Sequence, residues 1–272
     1  MPIDTSYIDF TYNGQKASDF HLVRVSSSSR YNDNLLPTLN DKTTDIPGAD
    51  GMYFFNTYYK QKSFTINFAY DSVTETDLRA IRNWLNGRDV HELVFDEQPD
   101  RIYFAKVTGA PSLKYIPFDS YDHRSNNTNA QISGGSSTSI VIYKGEGTAT
   151  FTCYDPFAYS APVSLNLAAN TTAIGGELQT PVTIEVVGTV AANNSITITS
   201  AGITIATITL LEEASGISWQ GRTGMVTGTV GGTTRPLQFS GNSMIAFSPD
   251  MVPRLAAPNG ASATLTYRKR YY

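Results

Sequence analysis

FTCYDPFAYS, residues 151–160, decides how this chain is organised. The stretch contains the only cysteine, Cys153, four aromatic side chains, and Asp155 followed by Pro156. Two interpretations are open at this point: an active-site loop built around a thiol, or the hinge where a packed strand leaves one domain for the next. A residue before proline avoids the helical region, so Asp155 is expected to be extended, as a rigid exit from a strand requires.

The sequence patterns differ on the two sides of this stretch. The chain has 272 residues, which is enough for two domains with separate cores. From Pro162 to Tyr267 there is no helical periodicity, little charge, and a succession of Thr-, Ile- and Val-rich runs separated by Gly or Asn turns. The sequence predicts a mainly β protein. Residues 1–158 form a β-rich domain with one α-helix, and residues 159–272 form a β-sandwich of about a hundred residues.

The first fifty residues combine short strand patterns with a long polar stretch. Residues 7–12 alternate between apolar and polar and end at Asn13-Gly14, which is a strong hairpin signal and predicts a return strand over residues 20–25. Residues 26–51 are polar and punctuated by proline and glycine, which predicts a long loop or extended arm. Loops of this length in a compact domain usually bind something.

One helix is predicted in the N-terminal domain, after a strand over residues 62–70. Thr74 and Asp77 have the spacing of a capping box. The apolar residues that follow lie at helical spacing, and they are Leu78, Ile81, Trp84 and Leu85. Gly87 is the expected stop, in the left-handed conformation that often ends a helix.

The rest of the N-terminal domain is predicted as strands around an irregular segment. Residues 91–95 and 101–107 read as strands, and residues 115–129 as an irregular Asn-rich stretch. A hairpin is predicted from residues 139–143 and 149–153.

Composition and charge exclude several classes of function. The net charge of −4 argues against nucleic-acid binding, which needs clustered Lys and Arg. The single cysteine excludes an internal disulfide framework. There is no apolar run of about 20 residues, which a membrane-crossing helix would need. The N-terminal residues lack the pattern of a signal peptide, so we expect synthesis in a cytoplasm.

The sequence offers no pattern for covalent or metal chemistry. Cys153 alternates onto the same strand face as Phe151 and is predicted to be buried. The three histidines show neither a protease signature nor metal-ligand spacing; they are His21, His91 and His123. The acidic residues Asp96, Glu97 and Asp100 fall in a predicted turn, where carboxylates are common. We therefore predict a protein that is not an enzyme and holds no cofactor or metal.

The order of several motifs resembles one known family. PGADG at residues 47–51 precedes SFTINFAY at 63–70 and IRNWLNG at 81–87. ELVFDEQPDRIYFAKVTG at 92–109, FTCYDPFAYS and then PLQFSGNSMIAFSP at 236–249 follow. This order is similar to that of the distal tail (Dit) proteins of long-tailed bacteriophages.

The resemblance implies a fold and a role. Such proteins form a hexameric ring through the N-terminal domain at the end of the tail tube, and carry a galectin-like C-terminal sandwich. It implies a location in the virion, at the tail tip or baseplate, where the ring connects the tube to the host-adhesion apparatus. The implied partners are further copies of the chain, the tail tube protein, the tape-measure protein, the tail-associated hub protein and the receptor-binding protein. On this reading residues Asp155, Pro156, Phe157 and Tyr159 form the hinge between the domains.

An aromatic cluster beside the long arm is the predicted contact between subunits. Protein interfaces favour aromatic residues over Lys and Glu, and charged residues make up only 16% of this chain. The candidates are Tyr53, Phe54, Phe55, Tyr58 and Tyr59. The alternative is that about half of them fill the core of the N-terminal domain.

Two other functions remain open from the sequence. The C-terminal sandwich could be a carbohydrate-binding module in which Trp219 stacks on a sugar beside Gln220 and Arg222. A cell-wall hydrolase is the other alternative, although no motif supports it.

Overall fold

The chain divides into two compact units. The computed structural model describes residues 9–24, 36–48, 50–119, 141–168, 170–256 and 261–272. Unit 1 is Met1–Phe157 and unit 2 is Ala158–Tyr272.

Unit 1 is built on one large antiparallel sheet. Its strands in chain order are β1 (Phe10–Tyr12), β2 (Gln15–Lys16), β3 (Leu22–Arg24), β4 (Leu39–Asp45), β5 (Met52–Tyr59), β6 (Lys62–Val73), β7 (His91–Phe95), β8 (Ile102–Asp119) and β9 (Val141–Cys153). The sheet has the order β2-β1-β7-β8-β9-β6-β3, whereas β4 and β5 form a separate two-stranded sheet. A 3-10 helix, Ala17–Phe20, and an α-helix, α1 (Glu75–Leu85), complete the described part of this unit.

The core of unit 1 lies between the sheet and the helix α1. The predicted alternation in β6 is confirmed, because its apolar face is buried throughout, with Phe64, Ile66, Phe68 and Tyr70. The helix buries the apolar residues that the spacing predicts, Leu78, Ile81, Trp84 and Leu85. The indole of Trp84 stacks on Phe20, with 4.6 Å between ring centroids. Its Nε1 donates a hydrogen bond of 2.8 Å to the carbonyl oxygen of Tyr12.

The start of α1 is as predicted, but its end is not. Thr74 caps the helix, and its side chain and that of Asp77 form the reciprocal bonds of a capping box. The C-cap is Asn86, with φ −84°, and Gly87 is not among the residues with positive φ. The prediction of a left-handed cap at Gly87 is therefore wrong. The glycine lies instead against its neighbours, since a Cβ there would sit 3.3 Å from both the His91 ring and the Tyr12 hydroxyl.

We expect Gly87→Val to destabilise unit 1 by roughly 1 kcal/mol, because the added methyl groups would crowd His91 and Tyr12. Thermal unfolding followed by circular dichroism measures this loss. Gly87→Ala, which adds one carbon at the same place, should cost less. An unchanged melting temperature for the valine variant would show that the neighbouring rings move aside freely.

Two sequence predictions in unit 1 fail at the level of strand pairing. Asn13 and Gly14 do form the predicted turn, both with positive φ, but the return strand is the two-residue β2. Residues Leu22–Arg24 pair with β6 instead, because the 3-10 helix intervenes and redirects the chain. Residues 141–153 of the predicted hairpin form one continuous strand, β9, which lies between β6 and β8.

The predicted irregular segments are only partly described. Residues 115–119, expected to be irregular, belong to β8 and pair with the start of β9. The rest of that stretch, residues 120–129, lies outside the described residues and includes His123. Residues 26–35 of the predicted arm also lie outside them.

Unit 2 contains two antiparallel sheets. Its strands are β10 (Ala158–Tyr159), β11 (Val163–Asn166), β12 (Thr180–Val190), β13 (Ser195–Ser200), β14 (Ile203–Leu210), β15 (Ala214–Gln220), β16 (Met225–Val230), β17 (Thr233–Pro236), β18 (Phe239–Gly241), β19 (Ala246–Phe247), β20 (Pro253–Ala256), β21 (Ser262–Tyr267) and β22 (Arg270–Tyr271). One sheet has the order β11-β21-β12-β15-β16-β17, with β19 beside β12, and the other has the order β18-β14-β13-β20. The short strands β10 and β22 pair with each other.

The two sheets of unit 2 share one apolar core. Ile184 and Trp219 from the larger sheet and Ile198 and Ile208 from the smaller sheet are fully buried in the same cluster. Alternation along each strand supplies these inward residues, as the sequence predicts. The fold class predicted from sequence, mainly β with one α-helix, is confirmed in the residues that the structure describes.

Candidate subunit interface

The candidate site is the hairpin formed by β4 and β5 in unit 1. These two strands pair with each other, and in the part of the chain that the structure describes neither joins the large sheet. A hydrogen bond of 2.7 Å from the Lys60 amide to the Thr38 carbonyl closes the base of the hairpin. Two-stranded hairpins are marginally stable in water and usually need a further layer against one face.

A β-bulge lies in the middle of β5. Lys42 is opposite Asn56 and Thr43 is opposite Phe54, so Phe55 is the extra residue. The alternation of β4 continues without interruption through this point. Because directly paired side chains share a face of the sheet, β4 can be used to assign the side chains of β5 to the two faces.

One face of the hairpin is aromatic and carries a lysine. The Phe55 ring lies 6.0 Å from Lys42 Nζ and 5.1 Å from the Tyr53 ring, which places these side chains together. The Tyr58 hydroxyl accepts a hydrogen bond of 2.8 Å from Asn40 Nδ2 on the same face. We call the surface formed by Tyr53, Phe55, Tyr58 and Lys42 the aromatic face.

The opposite face is apolar and negatively charged. Phe54 is paired with Thr43, and Met52 is paired with Asp45. Asp41 lies on this side too, where its carboxylate accepts a hydrogen bond from Thr57. We call the surface formed by Asp41, Asp45, Met52 and Phe54 the acidic face.

The structure separates the five predicted interface residues into two groups. Four side chains are about half exposed, with relative exposures of 56%, 56%, 54% and 48% for Tyr53, Phe54, Phe55 and Tyr58. Tyr59 differs, because its ring packs edge-on against Phe157 within unit 1, with 5.3 Å between centroids. Four of the five candidate side chains are therefore exposed and could contact another protein. Tyr59 instead anchors the base of the hairpin.

The predicted hinge residues lie at the boundary between the units. Unit 1 ends at Phe157, which is 7% exposed, and Pro156 beside it is also buried. Asp155 is partly buried. Tyr159 belongs to unit 2, where it pairs with Arg270. The hinge role of these four residues stays a prediction.

Cys153 is in the core of unit 1, as the sequence predicts. Its side chain is fully buried at the end of β9. Burial raises the pKa of the thiol to about 12, while the charge of Lys62 lowers it and that of Asp155 raises it further. A thiol with such a pKa is almost entirely protonated at neutral pH and is a poor nucleophile.

We expect the Cys153 thiol to react with a thiol-specific reagent only after denaturation, because burial blocks access and disfavours the thiolate. With a reagent that releases a coloured thiol when it reacts, the absorbance of that product measures the labelling. Tyr154→Cys is a matched control, since Tyr154 is the next residue and is 59% exposed. That variant should label one equivalent rapidly. Fast labelling of the unmodified protein would contradict the burial.

Trp219, the candidate sugar-stacking residue of unit 2, is not on the surface. Trp219 is fully buried, and its Nε1 donates a hydrogen bond of 2.7 Å to the Ser243 carbonyl. A buried indole cannot stack on a sugar, so the prediction that Trp219 forms a stacking platform is wrong. Gln220 and Arg222 are exposed beside it.

The acidic turn after β7 is tied to neighbouring strands. Asp96 pairs with Lys16 at 3.2 Å, and Glu97 pairs with Arg24 at 2.9 Å. In the described ranges no group of three or more His, Cys, Asp or Glu could hold a metal. Within those same ranges, no helix has the length and apolar character to span a membrane.

The N-terminal region and the fold both resemble those of known phage proteins. Residues 6–116 match the family model described as "Phage tail protein N-terminal domain". The Dit protein of phage SPP1 superposes with a TM-score of 0.61 over 97% of this chain and 99% of that chain, at 14% identity. The chain has a Dit-like fold. Its predicted resemblance to distal tail proteins is confirmed at this level.

The remaining comparisons show weaker likeness or none. Structures of the phage P2 baseplate, activated with Ca or with Sr, align over 95% of this chain and 97% of the matched chains, at 9% and 7% identity, with TM-scores of 0.43 and 0.45. A search of curated protein sequences found no match. The description of the SPP1 Dit protein calls that protein a paradigm of the hub adsorption apparatus in phages that infect Gram-positive bacteria.

The hairpin lies inside the region that the family model matches, whereas the structural likeness covers both units. Nothing in the sequence of β4, LNDKTTD, signalled a strand, because it lacks apolar alternation. Only the structure shows that β4 pairs with the aromatic strand β5.

Proposed function

We propose that the chain is a structural subunit of a phage tail that forms a hexameric ring through unit 1. The observation that carries this proposal is the β4–β5 hairpin, whose aromatic side chains are about half exposed on a sheet of only two strands. Exposed aromatic clusters of this kind are typical of protein interfaces. The Dit-like fold supports the same function, because the SPP1 protein with this fold is described as a hub component.

The ring requires a contact between two different patches of the subunit. A closed cyclic assembly of more than two copies uses heterologous contacts, in which one patch meets a second patch on the next copy. The hairpin offers one such patch on a segment that already stands apart from the large sheet. In the proposed ring, the distal end of the tail tube meets one side and the host-adhesion apparatus the other. The tail tube, tape-measure, hub and receptor-binding proteins would be its partners.

The mass of the purified 272-residue chain in solution tests the ring directly. We expect light scattering to give six times the subunit mass at high protein concentration, and negative-stain electron microscopy to show rings with six-fold symmetry. A chain that stays monomeric at every concentration would contradict the proposal. A different number of copies in a closed ring would correct the hexamer while keeping the subunit contact.

A further inference from the structure

The two faces of the hairpin are complementary to each other. Lys42 is exposed on the aromatic face, and Asp41 and Asp45 are exposed on the acidic face. Each face also exposes large apolar side chains: Tyr53, Phe55 and Tyr58 on one, and Met52 and Phe54 on the other. The two surfaces therefore match in apolar character and are opposite in charge.

Outside the hairpin, the described part of unit 1 exposes little apolar surface that could receive it. Ten large hydrophobic side chains are exposed in its described part, and only Val90 and Tyr154 lie outside residues 36–58. An aromatic surface of one copy gains most by meeting an apolar surface on the next copy. In the described part of unit 1 the largest such surface is the hairpin itself.

We infer that hairpins of neighbouring copies stack face to face, with the aromatic face of one copy on the acidic face of the next. This inference rests on the proposed ring and names the surface that receives each hairpin. Lys42 then lies near Asp41 and Asp45 of the adjacent copy, and the aromatic rings of one hairpin cover Met52 and Phe54 of the other. The contact joins two different patches, so it propagates around a ring. It also gives each two-stranded hairpin the further layer that it needs in water.

Charge reversal in the 272-residue chain tests the stacking. Lys42→Glu places like charges across the contact, and so does the double change Asp41→Lys with Asp45→Lys. We expect each variant to need about a ten-fold higher protein concentration for half-maximal assembly, measured by light scattering. Arg79→Glu is the matched control, because Arg79 is exposed on α1 and its side chain changes charge in the same way. It should assemble as the unchanged protein does.

Mixing the two charge-reversed variants provides the decisive measurement. In a mixed ring, the glutamate introduced by Lys42→Glu in one variant meets the introduced lysines of the other, while unchanged Lys42 meets unchanged aspartates. Opposite charges then face each other at every junction when the two variants alternate, which an even-numbered ring accommodates. We expect the equimolar mixture to assemble at the concentration of the unchanged protein, and circular dichroism to show that each variant is folded.

The other outcomes separate this inference from the proposed ring. If the unchanged protein assembles and Lys42→Glu has no effect, or if the mixture fails to recover, the hairpins do not stack and the inference is overturned while the ring stands. If the unchanged protein never assembles, the proposed ring fails and the stacking fails with it.

Discussion

Replacing both Phe55 and Tyr58 with aspartate is expected to leave the protein folded and monomeric. Both side chains are about half exposed on the aromatic face, so the substitutions should leave the core of unit 1 intact. In the proposed ring each junction would bury two unpaired carboxylates, and a buried charge without a partner costs several kcal/mol. Because one weakened patch is repeated at every junction, the whole ring should dissociate. Light scattering measures the mass, and circular dichroism measures the fold.

The matched control is Tyr154→Asp. Tyr154 is an equally exposed aromatic residue of unit 1, at 59%, but it lies outside the hairpin. We expect this variant to assemble normally. Loss of assembly in the control as well as in the double variant would show that the effect is general and would remove the special role of the hairpin. A double variant that unfolds would place its two aromatic residues in the core.

Trp84→Ala is expected to produce the largest loss of stability in unit 1. The side chain is 4% exposed, stacks on Phe20 and Phe10, and donates its indole hydrogen bond to the Tyr12 carbonyl. Truncation of a buried tryptophan to alanine costs about 3–5 kcal/mol. Denaturant unfolding followed by circular dichroism should show this decrease in the free energy of unfolding.

Trp84→Phe separates packing from hydrogen bonding. It keeps a ring against Phe20 but removes the donor to Tyr12, so we expect a smaller loss of about 1–3 kcal/mol. Equal losses for both variants would mean that the hydrogen bond, rather than the packing, accounts for the stability. A loss below about 1 kcal/mol for Trp84→Ala would contradict the central place of this indole in the core.

Local patterns predicted the elements that depend on near neighbours. The capping box of Thr74 and Asp77, the apolar spacing of α1 and the alternation of β6 follow from contacts a few residues apart. The burial of Cys153 followed from its position beside Phe151 on one strand face. The same kind of pattern fails at Gly87, because His91 and Tyr12, rather than the helix itself, surround that glycine.

Sequence patterns predicted only part of the candidate interface. The sequence located the aromatic cluster, but it could not separate exposed residues from core residues, since aromatic side chains serve both roles. The fold decided that Tyr59 packs on Phe157 while its neighbours stay exposed. Trp219 shows the converse, because a tryptophan that the sequence offered as a sugar platform is fully buried between strands.

By itself, the sequence determined the mainly β fold class, the helix α1, the buried thiol and the resemblance to distal tail proteins, because these depend on periodicity, capping and motif order along the chain. Only the tertiary structure decided which strands pair. It paired Leu22–Arg24 with β6, joined residues 141–153 into one strand, and set the bulge that directs Phe55 toward Lys42. Pairing and register depend on residues far apart in the sequence, and a shift of one residue moves every side chain to the opposite face of the sheet.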